Sequence, residues 1–546
     1  MRSSTRKLIA LGPFLASLVC PASLSAQVET SKLVPVDGGI RDYFGSQVAL
    51  AGDLAVIAAV EDDDSGLDSG SVYVIDVNTG AMVHKLLASD GDEDDLFGWD
   101  LAVSGNRVIV GARGHDAGGL FSGAAYLFDL NTGQELFKIE PPETQSLQLF
   151  GSSVDMEGNL AIVGAPGKTV NGALSAGAAY IYDLVSGQLV HTLFSNTPLS
   201  SDGFGRQVVL DGQTVVVLQG RIQEAVHVFD LTTGLQTKVF GPSTAGNVSG
   251  WGDSIALEGN TLLVGNADGP SVGDNRGEVF LFDMGLEQEV AKLLSPSPFS
   301  FKYFGISLAL ENGVALIGEY GGGITNTDTG KVHVWDTQLV EQVAELEASD
   351  GHIWDGFGSA VSLDQGRMLI GASLDDENGE YSGSAYYYDF IPDVPGFAYC
   401  DTGGCPCGND GSLTGCVNGS GVGALLEGTG STSLATDNLV LTTTGLPPGQ
   451  FALTVMGTLS FQFPAGNGLR CVAGALYRYT PVLNSGATGR IEVGPGLVQQ
   501  SCTQFPAGGC ITAASTWNFQ TWYRDPSGPC GQPFNFSNGY FVTFTP

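Results

Sequence analysis

Residues 97–129 read FGWDLAVSGNRVIVGARGHDAGGLFSGAAYLFD. A closely similar string, FGSQVALAGDLAVIAAVEDDDSGLDSGSVYVID, starts at Phe44, and further copies start at Phe150, Phe204, Trp251, Phe304 and Phe357. Successive anchors are 53, 53, 54, 47, 53 and 53 residues apart. A period held this closely marks one supersecondary unit repeated seven times.

Each copy divides into four short runs. The first (48–50, 101–103) reaches a tight polar turn, Gly52-Asp53 or Gly105-Asn106. The second is almost wholly apolar (54–59, 108–112, 160–165). The third follows a longer loop and ends in Asp (72–76, 126–129, 279–283), and a turn such as Asn78-Thr79-Gly80 leads into the fourth (82–87, 135–139). Short β-rich runs joined by Gly/Asn turns read as antiparallel hairpins, and a continuous apolar run reads as a strand covered on both faces. Four-stranded sheets that each have two neighbours are propeller blades; a solenoid would need atypical capping repeats, and the seven copies include none. The expected fold is all-β: a seven-bladed β-propeller of four-stranded blades over residues 27–393, then a disulfide-bonded β-sandwich over 394–546.

Phe150-Gly151 with Gly164-Ala165-Pro166 spells the two signatures of the FG-GAP repeat. The wider pattern, FGxxVAL followed by VIVGA and SGxAYxFD, resembles the FG-GAP variety of secreted bacterial proteins, and the same repeat builds the seven-bladed propeller of integrin α-chains. The resemblance covers the repeat region and implies a propeller used for adhesion or ligand binding, without implying a particular ligand. The ending TWNFQTWYRDPSG and NFSNGYFVTFTP resembles an uncharacterised C-terminal module of secreted bacterial proteins, which carries no known activity.

Residues 1–26 hold Arg2, Arg6 and Lys7, an apolar stretch over 8–19 and small residues ending in Ser25-Ala26. This is the pattern of a secretory signal peptide cleaved after Ala26. Its apolar core is too short to span a bilayer, and Val19 is too large for the residue that usually precedes a lipidated cysteine such as Cys20. No later stretch suits a transmembrane segment, so the expected location is secreted or at the cell surface.

With 58 acidic against 22 basic side chains, the net charge is −36, which repels nucleic acid and anionic membranes. The acidity is uneven: beyond residue 399 there are four Arg, no Lys and six carboxylates. The cysteines shift at the same place, because all except Cys20 (Cys400, Cys405, Cys407, Cys416, Cys471, Cys502, Cys510 and Cys530) fall there. An even set in an exported chain reads as disulfides of open connectivity. Zinc is the weaker reading, since no His follows His352. Cys405 and Cys407 have too little chain between them for an easy mutual bridge. Trp517, Trp522 and Tyr523 suggest a sugar-stacking platform, but burial in the sandwich core is the commoner fate of such residues.

The histidines give no catalytic constellation. His227 and His333 repeat one place in the third run, and His84 and His191 repeat one in the fourth. His115 and His352 lie in loops without a Ser-His-Asp, HExxH or GxSxG context. Three acidic loops hold candidate oxygen ligands for Ca²⁺: Asp62, Asp64 and Asp68; Asp90, Asp92 and Asp94; Asp376 and Asn378. None completes the EF-hand spacing, and the integrin-type calcium loop position is taken here by tight turns, so solvated acidic loops are the favoured reading.

The sequence therefore points to an exported, non-enzymatic binding or adhesion protein with an extracellular protein or glycan partner. The alternatives are a propeller enzyme acting on a polysaccharide and a structural envelope protein. Two geometric expectations follow. The seventh copy lacks a fourth run, so a segment around residues 32–38 should complete its sheet. The short turns should share one face and leave the long acidic loops, with Asp116, Asp268, Asp274, Asp350 and Asp355, on the other.

Overall fold

The computed structural model describes residues 29–388 apart from 117, 221–223, 243–250, 270–275, 297–300, 322–328 and 338–339, together with 397–399, 405–409 and 414–544 apart from 435 and 514. The expected signal peptide, the linker prolines Pro392 and Pro395, Asp274 and Cys400 lie outside the described residues.

Seven four-stranded antiparallel sheets follow one another along residues 31–388. The first comprises Phe44–Ala51, Leu54–Ala59, Ser71–Asp76 and Ala81–Leu86, in that spatial order from the inside outwards. Each innermost strand packs on that of the next sheet, and Phe357–Asp364 of the seventh packs on Phe44–Ala51 of the first, so the sheets form the ring of a propeller. Its second strands are the apolar runs: Ala55, Val56, Ile57, Ala58 and Ala59 are all fully buried, as expected for strands covered by a blade on either side.

The repeat motif has a packing cause. Every anchor ring lies against an aromatic ring of its own third strand: Phe44 on Tyr73, Phe97 on Tyr126, Phe150 on Tyr180, Phe204 on His227, Trp251 on Phe280, Phe304 on His333 and Phe357 on Tyr386. The third-strand histidines thus replace tyrosine in a structural contact. The anchor glycine serves a second contact. Gly45 has φ +89°, and a Cβ there would stand 2.3 Å from the carbonyl oxygen of Ser384 in the neighbouring blade, an approach that only glycine permits.

The last blade is completed from the other end of the chain. Ser31–Leu33 lies antiparallel to Ser384–Tyr388, with Ser31 opposite Tyr387 and Leu33 opposite Ala385. Pro35 falls beyond this strand, where it needs to donate nothing.

A second set of bonds ties the inner strands around the ring. The side chain ending one inner strand accepts the N–H of the turn glycine in the next blade: Ser104 from Gly158, Glu157 from Gly212, Asp211 from Gly259, Glu258 from Gly313, Glu311 from Gly366 and Asp364 from Gly52. Six of the seven joints are stitched in this way. At the joint between blades one and two the equivalent residue is Ala51, which has no acceptor.

Beyond residue 397 the chain forms two further sheets. One has six strands, including Phe451–Ala465, Gly468–Arg478, Thr516–Arg524 and Phe534–Thr543; the other has three, Leu425–Thr429, Val440–Thr444 and Ile491–Val493. Leu426 and Leu441 from the smaller sheet share one core with Met456, Trp517, Phe519 and Val542 from the larger, the layering of a sandwich. Cys405 pairs with Cys416, Cys407 with Cys530 and Cys502 with Cys510, and Cys471 is also disulfide-bonded. One feature departs from the all-strand expectation here: Leu497–Gln504 is an α-helix. It is only two turns long, too short to show a period. The Asp437 carboxylate holds it by accepting the N–H groups of Val498 and Gln499 at 2.8 and 3.0 Å. Phe541 packs on the apolar cluster between blades six and seven, which joins the two regions.

Removing one stitch and adding the missing one should have opposite effects. Glu311→Ala leaves the Gln365 and Gly366 amides without their acceptor and should cost about 1–3 kcal/mol, whereas Ala51→Asp should add about 0.5–1 kcal/mol. Urea unfolding midpoints at unchanged slope are the check.

Candidate functional site

The long loops, between second and third strands and between blades, carry the acidic residues picked from the sequence. Most of those nominated for calcium hold something else. In blade one, Lys85 on the fourth strand stands directly across from Tyr73 on the third. Its ammonium reaches Asp37, Asp62 and Asp64 at 3.0, 2.9 and 2.7 Å. The Tyr73 hydroxyl lies 2.9 Å from both Asp37 and the buried Asp62, and its one proton is shared between them. Blade two repeats the arrangement: Lys138 opposite Tyr126, Asp90 at 2.9 Å and Glu140 at 2.8 Å, with the Tyr126 hydroxyl on Asp90. His115 joins that group, its Nε2 2.8 Å from the Lys138 ammonium and its Nδ1 2.9 Å from the buried Asp95. In blade seven the lysine comes from the N-terminal strand: Lys32, opposite Tyr386, reaches Asp350, Asp375 and Glu377 at 2.8, 2.9 and 2.8 Å.

An ammonium therefore sits where a cation would have to sit. Burial works against Lys32 and Lys85, but the hydrogen bonds they donate to surrounding carboxylates outweigh it and raise both above the usual lysine range. Burial likewise opposes ionisation of Asp37, Asp90 and Asp350, and the lysine and tyrosine donors overcome it and lower all three. The remaining nominees are spread out. Asp92 accepts the N–H of Glu93, Asp376 accepts that of Tyr381, and the Asn378 amide donates to the Pro35 carbonyl. Asp68 and Asp94 belong to a separate group with Glu61 and Asp63, in which Asp63 and Asp94 are exposed and Glu61 and Asp68 partly buried. Among the described residues no set of three or more His, Cys, Asp or Glu is arranged to hold a metal ion.

The channel through the ring is narrow, about 290 Å³, and is lined by inner strands, with Gln47, Asp100, Asp155, Gln207 and Asp253 among its walls and no aromatic residue. Asp100 and Asp155 lie deep within it. Burial pushes them up to about 7 and about 6, although each also accepts a backbone N–H from the next blade, Val154 at 2.8 Å and Leu210 at 2.6 Å. These two carboxylates hold blades together; they do not converge on a common point with aromatic partners. In the C-terminal region Trp517 and Tyr523 are buried, and Trp522 is partly buried against Phe534.

Residues 28–75, 81–128, 134–182 and 340–388 match the model of the FG-GAP repeat. The chain carries FG-GAP repeats. Each matched segment starts at or just before the outer strand of one blade and ends in the third strand of the next. Among curated proteins none matches the chain. A crystal structure of the computationally designed Ika8 protein is similar at 16% identity over 66% of this chain and 99% of that chain, with a TM-score of 0.41, a value too low to support an argument. No helix among the described residues is long and apolar enough to cross a membrane.

Two signals in the FG-GAP repeats mark residues that no catalytic or metal motif contains. Tyrosine and lysine recur at fixed places in the third and fourth strands of the caged blades. The residue after each anchor glycine, serine in three copies, is Trp99, Arg206 and Asp253 in three others.

The lysine cages and the channel carboxylates titrate in different windows. Acids held below their usual range stabilise the fold above the unfolded pKa near 4, and that stability is lost as pH falls further. Asp100 and Asp155, held above their range, favour the fold while protonated, so their contribution falls as pH rises from about 4 through 7. Thermal unfolding between pH 3 and 8 should therefore show maximal stability near pH 4–5. Lys85→Met leaves Asp62 buried without its cation and should cost about 2–4 kcal/mol, measured by urea unfolding.

Proposed function

We propose that the protein is an exported binding or adhesion protein whose FG-GAP propeller presents an acidic patch to a cationic partner. The FG-GAP repeats support the class, because such repeats build integrin-like propellers that are commonly extracellular, and three disulfides fit an oxidising compartment.

The observation that carries the site is the crowding of Glu61, Asp63, Asp68 and Asp94. Unlike the caged acids, these pair with no lysine among the described residues. Burial and then the charge of Asp68 raise Glu61, with Arg41 opposing and Asp63 adding to the rise. Burial and then Asp63 and Asp94 raise Asp68. Carboxylates that disfavour one another's ionisation are relieved by an external cation. They sit on long loops over a rigid ring, where binding commonly resides. The channel supports the non-enzymatic reading, since its carboxylates are bound to backbone amides and lack aromatic company.

The test is binding of a fluorescent lysine-rich peptide to the mature chain. Binding should weaken as salt rises and fall at least tenfold in the variant carrying Glu61→Gln, Asp63→Asn, Asp68→Asn and Asp94→Asn. Asn tolerates the positive φ of Asp68 and Asp94, so the unfolding temperature should hold. Unchanged binding would remove the patch from the function. Added Ca²⁺ or chelator should leave thermal stability unchanged, because lysines already fill the cages.

A further inference from the structure

On the same loop face, over blades two to five, a cleft of about 530 Å³ opens beside the channel mouth. Its walls include Trp99, Arg113, Ser152, Ser175, Ser201 and Arg206. Its charge is opposite to that of the acidic patch.

Arg113 is the unusual member. Its guanidinium carbon lies 2.9 Å from the centroid of the Trp99 ring. The ring covers one face of the cation. Among the described residues no carboxylate stands within ion-pair range of Arg113, and it makes no hydrogen bond to the protein. Burial alone pulls it down to about 10, with no opposing charge to restore it. Arg206, by contrast, is bound to Asp253 at 2.7 Å. Among the described lining residues Arg113 is therefore a positive charge without a salt-bridge partner, in a chain of net charge −36.

The repeat makes this more than a surface accident. The place of Arg113, directly after the second strand, is held in the other copies by Val60, Pro166, Gly220, Ala267, Tyr320 and Ser373. None of these is charged. The place of Trp99 is serine in three copies. The cation and the ring that holds it are two departures from the repeat, both in blade two, and the fold brings them into contact.

A partly desolvated guanidinium without a partner is costly unless a ligand supplies the anion, and its planar fork matches a carboxylate. One net positive charge suits a monoanion better than a dianionic phosphate or sulfate in so negative a protein. The Ser175 and Ser201 hydroxyls on the walls suit a hydroxylated carrier, and the Ser152 hydroxyl, which donates to the Leu149 carbonyl at 2.7 Å, can still accept from one. We propose that this cleft binds a sugar carboxylate of the uronate type, with the carboxylate on Arg113 and the ring hydroxyls facing the serines.

Isothermal titration of the mature chain with galacturonate, trigalacturonate and neutral galactotriose tests this. The acids should bind, and the neutral trimer should bind at least tenfold more weakly. Arg113→Gln should lower the affinity for the acids at least tenfold with an unchanged unfolding temperature, since Arg113 holds nothing but Trp99. A tighter trimer than monomer supports a polyuronate chain as the source, and equal affinities support a free sugar acid. Absence of acid binding would overturn the proposal, as would equal binding of galactotriose, inorganic sulfate binding as tightly as galacturonate, or unchanged affinity in Arg113→Gln.

Discussion

The contact between Ser31–Leu33 and Ser384–Tyr388 is the one on which the ring depends. Sheets arranged in a circle have no first or last member only if the two ends of the chain meet. Without Ser31–Leu33 the third strand of the seventh sheet would show an open row of amides and carbonyls, a template for unwanted pairing. The closure is more than a backbone ladder. Leu33 is buried in the core shared by blades one and seven, Lys32 fills the acidic cage of blade seven, and Asp364 reaches forward to the Gly52 amide of blade one. Hydrophobic, ionic and hydrogen-bonded contacts therefore fasten the same joint.

The lysine cages explain how so acidic a chain keeps its loops in place. A charge as buried as that of Asp62 or Asp375 is costly without a partner. The lysine directly across the ladder from the third-strand tyrosine supplies the balancing charge, and the hydroxyl orients the acids around it. The fourth strand thus does two things. It forms the outer edge of each sheet, and in blades one, two and seven it delivers the cation that ties together the interblade loop and the loop between the second and third strands.

The fold was legible in the sequence because its determinants are local and repeated. Phe-Gly at each anchor records a buried ring and a backbone approach that tolerates no Cβ, and the apolar second runs record burial on both faces. The cages were not legible. Asp37, Asp62, Tyr73 and Lys85 lie on four separate stretches, and only the ladder register brings them together; read in one dimension, Asp62, Asp64 and Asp68 look like ligands for a metal. The pairing of Arg113 with Trp99 is hidden for the same reason, although each stands out once the copies are aligned with one another. The helix at Leu497–Gln504 escaped because two turns carry no period and its N-terminal acceptor, Asp437, is far away in sequence.

The closed ring is tested most directly by hydrogen exchange, followed amide by amide. The account predicts that Thr30, whose N–H donates to the Tyr387 carbonyl at 2.9 Å, and the amides of Ser31–Leu33 that face the ladder exchange as slowly as those of Ser384–Tyr388, and that both groups lose protection together as urea is raised. Fast exchange of residues 30–33 beside a protected Ser384–Tyr388 would show a free N-terminal arm and an open seventh sheet, and would contradict it.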